Sequence, residues 1–199
     1  MSATPTEPRE AATVILLRDE PASSPGFELL MIARNPAGRV MGGVWAFPGG
    51  ALEREDGRGE PGLRAAAVRE LAEETGIAGV RAEDLVPFAR WIGPPSIAHR
   101  FDTHFFLARA PIGCEATADG VECVDVRWLR PAAALAGELP LMFPTRKQLE
   151  RIDGFATIDG LIAAAAATPV VAVQPRLRAP GDRGEPLLPG EPGYDEASG

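Results

Sequence analysis

Cysteine is nearly absent. The 199 residues hold two, Cys114 and Cys123, without C-x-x-C spacing and with no histidine or second cysteine pair beside them. That excludes a zinc ribbon and a disulfide framework, and leaves two reduced thiols as the expectation. Long apolar runs are missing as well. The longest, GLIAAAAA, is mostly alanine and falls well short of the ~18 residues of a membrane-spanning helix. The opening MSATPTEPREAA carries no apolar h-region, so the chain is expected in the cytoplasm without a membrane partner. An excess of positive charge is also lacking: the formal net charge is -8. This argues against a broad nucleic-acid surface and confines any phosphate site to a local cluster.

What is present describes a folded chain. Hydrophobic residues make up 45% and charged residues 24%, ordinary values for a globular protein, and the length suits one domain with a short appendage. Residues 1–10 read as a polar, proline-containing mobile leader. Residues 12–19 (ATVILLRD) and 27–34 (FELLMIAR) read as strands joined across the turn signal PASSPG, hence a hairpin. The glycine- and proline-rich stretch that follows leaves room for one short strand around 44–47. A helix is expected over 61–75, with Gly76 as its left-handed cap. Strands are expected within 77–94, 100–111 and 121–131, and helices at 132–140, after Pro144 and at 157–168. This interleaving without a strict β-α-β rhythm favours a mixed sheet with helices packed on it. Residues 169–199 form a Pro/Gly-rich extension, read as a peripheral hairpin (VVAV and PLL around GDRGE) or a partly disordered tail.

One stretch carries the chemistry. In VRELAEETG, Glu70, Glu73 and Glu74 fall at i, i+3 and i+4 of a helix and share a face, where like charges repel. A solvated acidic stripe is the plain explanation. The sharper one is a hard divalent cation: clustered carboxylates facing a glycine-rich loop make an oxygen cage for Mg2+ or Mn2+ and leave positions for water and a substrate phosphate.

RELAEETGI also matches, position for position, the signature R-E-hydrophobic-x-E-E-x-G-hydrophobic, and FPGG stands upstream of it. In this the chain resembles the Nudix hydrolases. The resemblance implies an α/β/α sandwich around a mixed sheet over residues 11–168, a diphosphatase activity on a nucleoside diphosphate linked to another group, and Mg2+ or Mn2+ as cofactor. It implies metal-binding roles for Glu70, Glu73, Glu74 and the carbonyl of Gly49, an orienting role for Arg69, and help from Glu70 in activating water. Glu122 corresponds to a further glutamate that binds metal or acts as base, with Asp125 as the neighbouring option. One carboxylate of the signature has no clear owner. Counting forward from Gly50 reaches Asp56, counting back from Arg69 reaches Pro61, and the loop is swollen by about five residues, so Glu53, Glu55, Asp56 and Glu60 all stay open.

Arg34, Arg39, Gly43 and Phe47 to Gly50 keep the spacing of the motif that precedes the signature in the coenzyme A diphosphatase branch of that family, with Ile32 and Asn35 departing from it. This resemblance implies coenzyme A or an acyl derivative as substrate, cut to adenosine 3′,5′-bisphosphate and (acyl) phosphopantetheine. Arg34, Arg39 and Arg100 are the candidate phosphate binders. ADP-ribose, a nucleotide sugar or a dinucleotide polyphosphate is the rival substrate class, and a non-catalytic nucleotide-binding module the rival of another kind. The partner is a small molecule in each case, and a homodimer stays open.

Overall fold

The structure is a computed structural model that describes residues 7–20, 26–38, 42–179 and 184–197. The PASSPG turn, the GDRGE turn and Arg39 lie wholly or mostly outside the described residues.

The first strand explains the layering. β1 (Arg9–Asp19) is buried at every position from 11 to 17, because its run of Ala, Val, Ile and Leu is covered on both faces. Side chains alternate along a strand, and the two resulting sets pack into separate cores. Ala12, Val14 and Leu16 join Leu63, Ala66, Ala67 and Leu71 of α1 (Gly59–Thr75). Ile15 and Leu17 join residues of α2 (Pro131–Ala136), α3 (Phe143–Ile152) and α4 (Ile158–Ala166). The result is the expected sandwich, with one long helix on one face of a mixed sheet and three short helices on the other.

The sheet runs β3-β2-β1-β6-β5-β8, where β2 is Phe27–Arg34, β3 Trp45–Ala46, β5 Val86–Ile92, β6 Phe101–Arg109 and β8 Ala172–Val173. β6 lies parallel to β1, and β5 antiparallel to β6. β4 (Gly49–Ala51) and β7 (Cys123–Leu129) attach to β1 and β2. β1 and β2 pair only at 17–19 with 27–29 and then separate. The segment carrying β3 and β4 fills the gap: residues 45–46 pair with β2, residues 49–51 with β1, and the Val14 amide donates to the Pro48 carbonyl at 2.9 Å. The sequence reading gave this stretch one short strand; the structure holds two. Glycine has little strand propensity of its own, but two diverging strand edges supply backbone partners on both sides, and only glycine leaves room for what sits above.

α1 starts at Gly59, two residues before the expected Pro61, and ends as expected. Gly76 adopts φ 70° and its N–H donates to the Ala72 carbonyl at 2.9 Å, a left-handed stop that a residue with a Cβ would resist. At the far edge, β8 pairs parallel to β5 through Arg90–Ala172 and Trp91–Val173, so VVAV extends the sheet. Arg176 and Leu187 form an antiparallel bridge beyond it, Leu187 is buried, and the Tyr194 hydroxyl donates to the Gln174 carbonyl at 2.7 Å. No helix among the described residues is long and apolar enough to cross a membrane.

Candidate active site

α1 crosses the sheet above β4 and delivers two carboxylates to it. Residues four apart on a helix stand only about 40° apart around its axis, so Glu70 and Glu74 point the same way, and both are buried, Glu74 at 2% exposure. Each fits because of a glycine beneath it. A Cβ on Gly50 would lie 2.4 Å from the Glu70 carboxylate. The Gly49 N–H donates to Glu74 Oε2 at 2.9 Å, while Gly49 is pressed so close to β1 that a Cβ would stand 2.4 Å from the Ala12 carbonyl. Sequence reasoning gave Gly49 a role and missed Gly50, although the doubled glycine of FPGG was the signal. The other oxygen of Glu74, Oε1, is buried without a hydrogen bond; the Arg34 guanidinium stands 3.8 Å away.

Glu122, just ahead of β7, completes the group. Its carboxylate and those of Glu70 and Glu74 each offer an oxygen within 4.8 Å of the others. Glu73 stands apart. It lies about 100° around the helix from Glu74, its side chain is 59% exposed, and its Oε2 accepts from Arg69 Nη1 at 2.9 Å. The three carboxylates whose oxygens gather are thus Glu70, Glu74 and Glu122, with Glu73 beside them on Arg69.

Arg69 braces the cluster from the side. Its Nε and Nη2 donate to the two oxygens of Asp56 at 3.0 and 2.9 Å, Nη1 to Glu70 Oε1 at 2.8 Å, and Nη2 to the Ala51 carbonyl at 3.2 Å. Among the four carboxylates left open by the sequence, the one facing Arg69 is therefore Asp56. Glu60 instead pairs with Arg64, and Glu53 and Glu55 are exposed. Asp56 is the residue that counting forward from Gly50 reaches, and residues 57–60 after it are exposed.

Electrostatics separates the inner pair from its brace. The hydrogen bonds from Arg69 hold Asp56 below the usual aspartate value against the effect of burial. Burial raises Glu70, with Arg69 opposing. Burial raises Glu74 further, to about 8, with the Gly49 N–H and Arg34 opposing it and Glu70 and Glu122 adding to the rise. Crowded carboxylates of this kind are held ionised by positive charge. The donor set is all oxygen, and one buried oxygen, Glu74 Oε1, has no hydrogen bond. Glu70, Glu74 and Glu122 therefore fit a hard divalent cation.

The remaining candidates divide. Arg34, which ends β2, is brought to the cluster. Arg100 sits just ahead of β6, where Nη1 donates to the Gly93 carbonyl at 3.4 Å. Asp125 pairs with Arg127 at 2.8 Å. Trp45 is buried in the core with the Arg127 guanidinium 4.7 Å over its ring. Both cysteines are free, Cys123 fully buried and Cys114 partly so.

Known proteins share this fold. The chain is similar to a NUDIX hydrolase from Alicyclobacillus acidocaldarius, at 25% identity and a TM-score of 0.71 over 82% of this chain and 99% of that one. It is similar in fold to a MutT NUDIX hydrolase from Burkholderia pseudomallei (23% identity, TM-score 0.57, 74% of this chain and 99% of that one). The same holds for the NUDIX domain of Shewanella oneidensis NrtR complexed with ADP ribose (17% identity, TM-score 0.56, 73% and 86%). The model of the NUDIX domain matches residues 7–151, which contain every residue of the cluster and its brace. The chain belongs to the NUDIX family and is a Nudix hydrolase.

Proposed function

We propose that this hydrolase opens the diphosphate bridge of coenzyme A or an acyl-coenzyme A, using Mg2+ or Mn2+. The observation that carries the metal-dependent reading is the meeting of Glu70, Glu74 and Glu122 around a buried carboxylate oxygen that has no hydrogen bond. These three residues would hold the cation, with the Gly49 carbonyl as a further oxygen. When bound, it supplies positive charge for the diphosphate oxygens and makes water a better nucleophile near neutral pH. The protein's own groups supply order. Arg69 fixes Glu70 and Glu73 in one geometry. Gly49 turns Glu74 so that Oε2 is engaged and Oε1 is left for the ligand side. Arg34, next to Glu74 Oε1, offers a guanidinium fork to a phosphate entering the same space.

Preference for coenzyme A is supported by the motif of Arg34, Arg39, Gly43 and Phe47 to Gly50. With Arg34 beside Glu74, the 3′-phosphate is assigned to Arg39 or Arg100. The catalytic unit is taken as residues 11–168, with 169–199 as an appended cover, and the setting as the cytoplasm.

Product identification on coenzyme A, dephospho-coenzyme A, ADP-ribose, a nucleotide sugar, NADH and diadenosine polyphosphates, each with Mg2+ and with Mn2+, tests the proposal. Adenosine 3′,5′-bisphosphate and phosphopantetheine are expected from coenzyme A at the highest kcat/KM. Faster cleavage of ADP-ribose or a dinucleotide would move the assignment to that class, and no turnover of any member would leave a binding module.

A further inference from the structure

Glu122 has no regular element under it. β7 begins one residue later, at Cys123, and Glu122 is exposed. An exposed glutamate on irregular backbone normally samples several rotamers and several main-chain positions. Here its carboxylate nevertheless meets two buried ones, so its backbone is held from outside.

The holding residues lie on both sides of it. Asp119 Oδ2 accepts from the Glu122 N–H at 3.1 Å, and Oδ1 from the Cys123 N–H at 2.7 Å. Gly120, at φ 76°, closes the turn by donating to the Cys123 carbonyl at 2.8 Å. The last carbonyls of a helix have no partners within it, and this loop takes them: Thr117 donates to the Thr75 carbonyl at 2.9 Å and Asp119 to the Glu74 carbonyl at 3.2 Å. On the opposite side, the Asn35 N–H donates to the Glu122 carbonyl at 2.8 Å, and its Nδ2 to the Val121 carbonyl at 2.8 Å. The β2–β7 register shifts at this point, between Ala33 facing Asp125 and Arg34 facing Cys123. The shift leaves Val124 exposed and turns Cys123 inward. Asn35 is also where the chain departs from the motif of the coenzyme A branch.

We infer that Asp119, seconded by Asn35, is the positioning residue of this site: it fixes Glu122 against Glu70 and Glu74 by tying the Glu122 amide to the backbone of Glu74. One residue thereby couples the end of α1, through its main-chain N–H, to the start of β7, through its side chain, and the third carboxylate takes its place from the second. The inference rests on the diphosphatase reading for its kinetic consequences, but its geometric content concerns the cation-binding carboxylates alone.

The test combines Mn2+ binding to the full-length protein without substrate, followed by the paramagnetic resonance of the free ion, with steady-state kinetics. Asp119→Ala is expected to lower Mn2+ affinity and kcat each about tenfold, as loss of a group that orients a metal ligand does, with KM changed less than about twofold. Asp119→Asn, which keeps one acceptor, should recover part of the loss, and it carries the test should the alanine variant fail to fold. In a Glu122→Gln background, Asp119→Ala should cost nothing further, since two changes acting through one group are not additive. Unchanged Mn2+ affinity in Asp119→Ala, or an equal loss with and without Glu122, would overturn the inference. Wild-type protein that binds Mn2+ but cleaves none of the diphosphates would instead sink the diphosphatase reading, and the Mn2+ affinities would still decide Asp119.

Discussion

Glu70 and Glu74 project from a helix whose apolar side is packed on the sheet, whereas Glu122 projects from a solvent-exposed turn. The helix pair is fixed by burial. Leu63, Ala66, Ala67 and Leu71 set the height of α1 above β4, and the two glycines let the carboxylates down onto the backbone. The cost is electrostatic, and it shows in the raised protonation of Glu74. The turn half has the opposite economy. Glu122 stays near water, and its backbone is held by directed hydrogen bonds, its N–H donating to Asp119 and its carbonyl accepting from Asn35. Burial fixes a group whether or not its chemistry suits the place; hydrogen bonding fixes one only while every partner remains.

The comparison breaks most sharply at Glu74. Glu74→Gln keeps the volume and the acceptor for Gly49 but removes the charge, and a kcat loss of more than about a hundredfold is expected, beyond the range for residues that merely orient a ligand. A loss under tenfold in initial-rate assays would detach Glu74 from the chemistry. The same substitution has a second consequence, in the protein freed of metal by chelation. A carboxyl at 4.5 when unfolded and about 8 when folded binds its proton more tightly in the folded state. Its contribution to stability is therefore complete below 4.5 and is lost as pH rises through 8, by at most about 1.4 kcal/mol per pH unit. Glu70, also raised, adds in the same sense. Thermal melts of metal-free wild type should fall between pH 5 and 8, Glu74→Gln should flatten the fall, and Mn2+ should raise the melting temperature more at pH 8 than at pH 5. A flat wild-type profile would mean that the burial of Glu74 is not opposed by its charge.

The unequal legibility of the two halves has a physical basis. The helix and its end could be read from the chain, because helical spacing, a capping glycine and the signature are local features, although α1 starts two residues before the expected Pro61. The mixed sheet followed from the interleaving of strands and helices and the sandwich from the family signature; β1, buried from 11 to 17, shows why both faces are covered. β4 escaped, since its strand character comes from neighbours distant in sequence and not from two glycines. The choice of Asp56 among Glu53, Glu55 and Glu60 escaped for a related reason: an insertion shifts the count, and only the bond to Arg69 tells which side of Asp56 it lies on. Glu122 has a role only through the resemblance, because the β2–β7 register shift between Ala33 and Arg34 beside it leaves no periodic trace. Asp119 was not singled out at all, although Asp-Gly is an ordinary turn signal.

The smallest effects concern Arg69, which faces both ways. One arm grips Asp56, whose side chain is 5% exposed, and the other reaches Glu73, which is 59% exposed. Both acids bond the same guanidinium at nearly equal distances, 2.9 Å at the closest, so distance alone would give them equal weight. Burial does not. Asp56 takes two bonds from Arg69 and accepts the Glu53 N–H as well, so Asp56→Asn leaves a buried donor facing the Arg69 donors and should lower kcat about tenfold. Glu73→Gln breaks an exposed pair of the kind worth about 0.3–0.5 kcal/mol on a helix, and Arg69 keeps Asp56, Glu70 and Ala51. A loss of only about twofold is expected if bracing is the whole role of Glu73, by the usual conversion of free energy to rate. Parallel kcat measurements at saturating Mn2+ separate the two. A loss at Glu73 approaching that at Glu74 would show that the exposed rim enters the chemistry with the buried pair, and that the helix face converges on the ligand as its spacing first suggested.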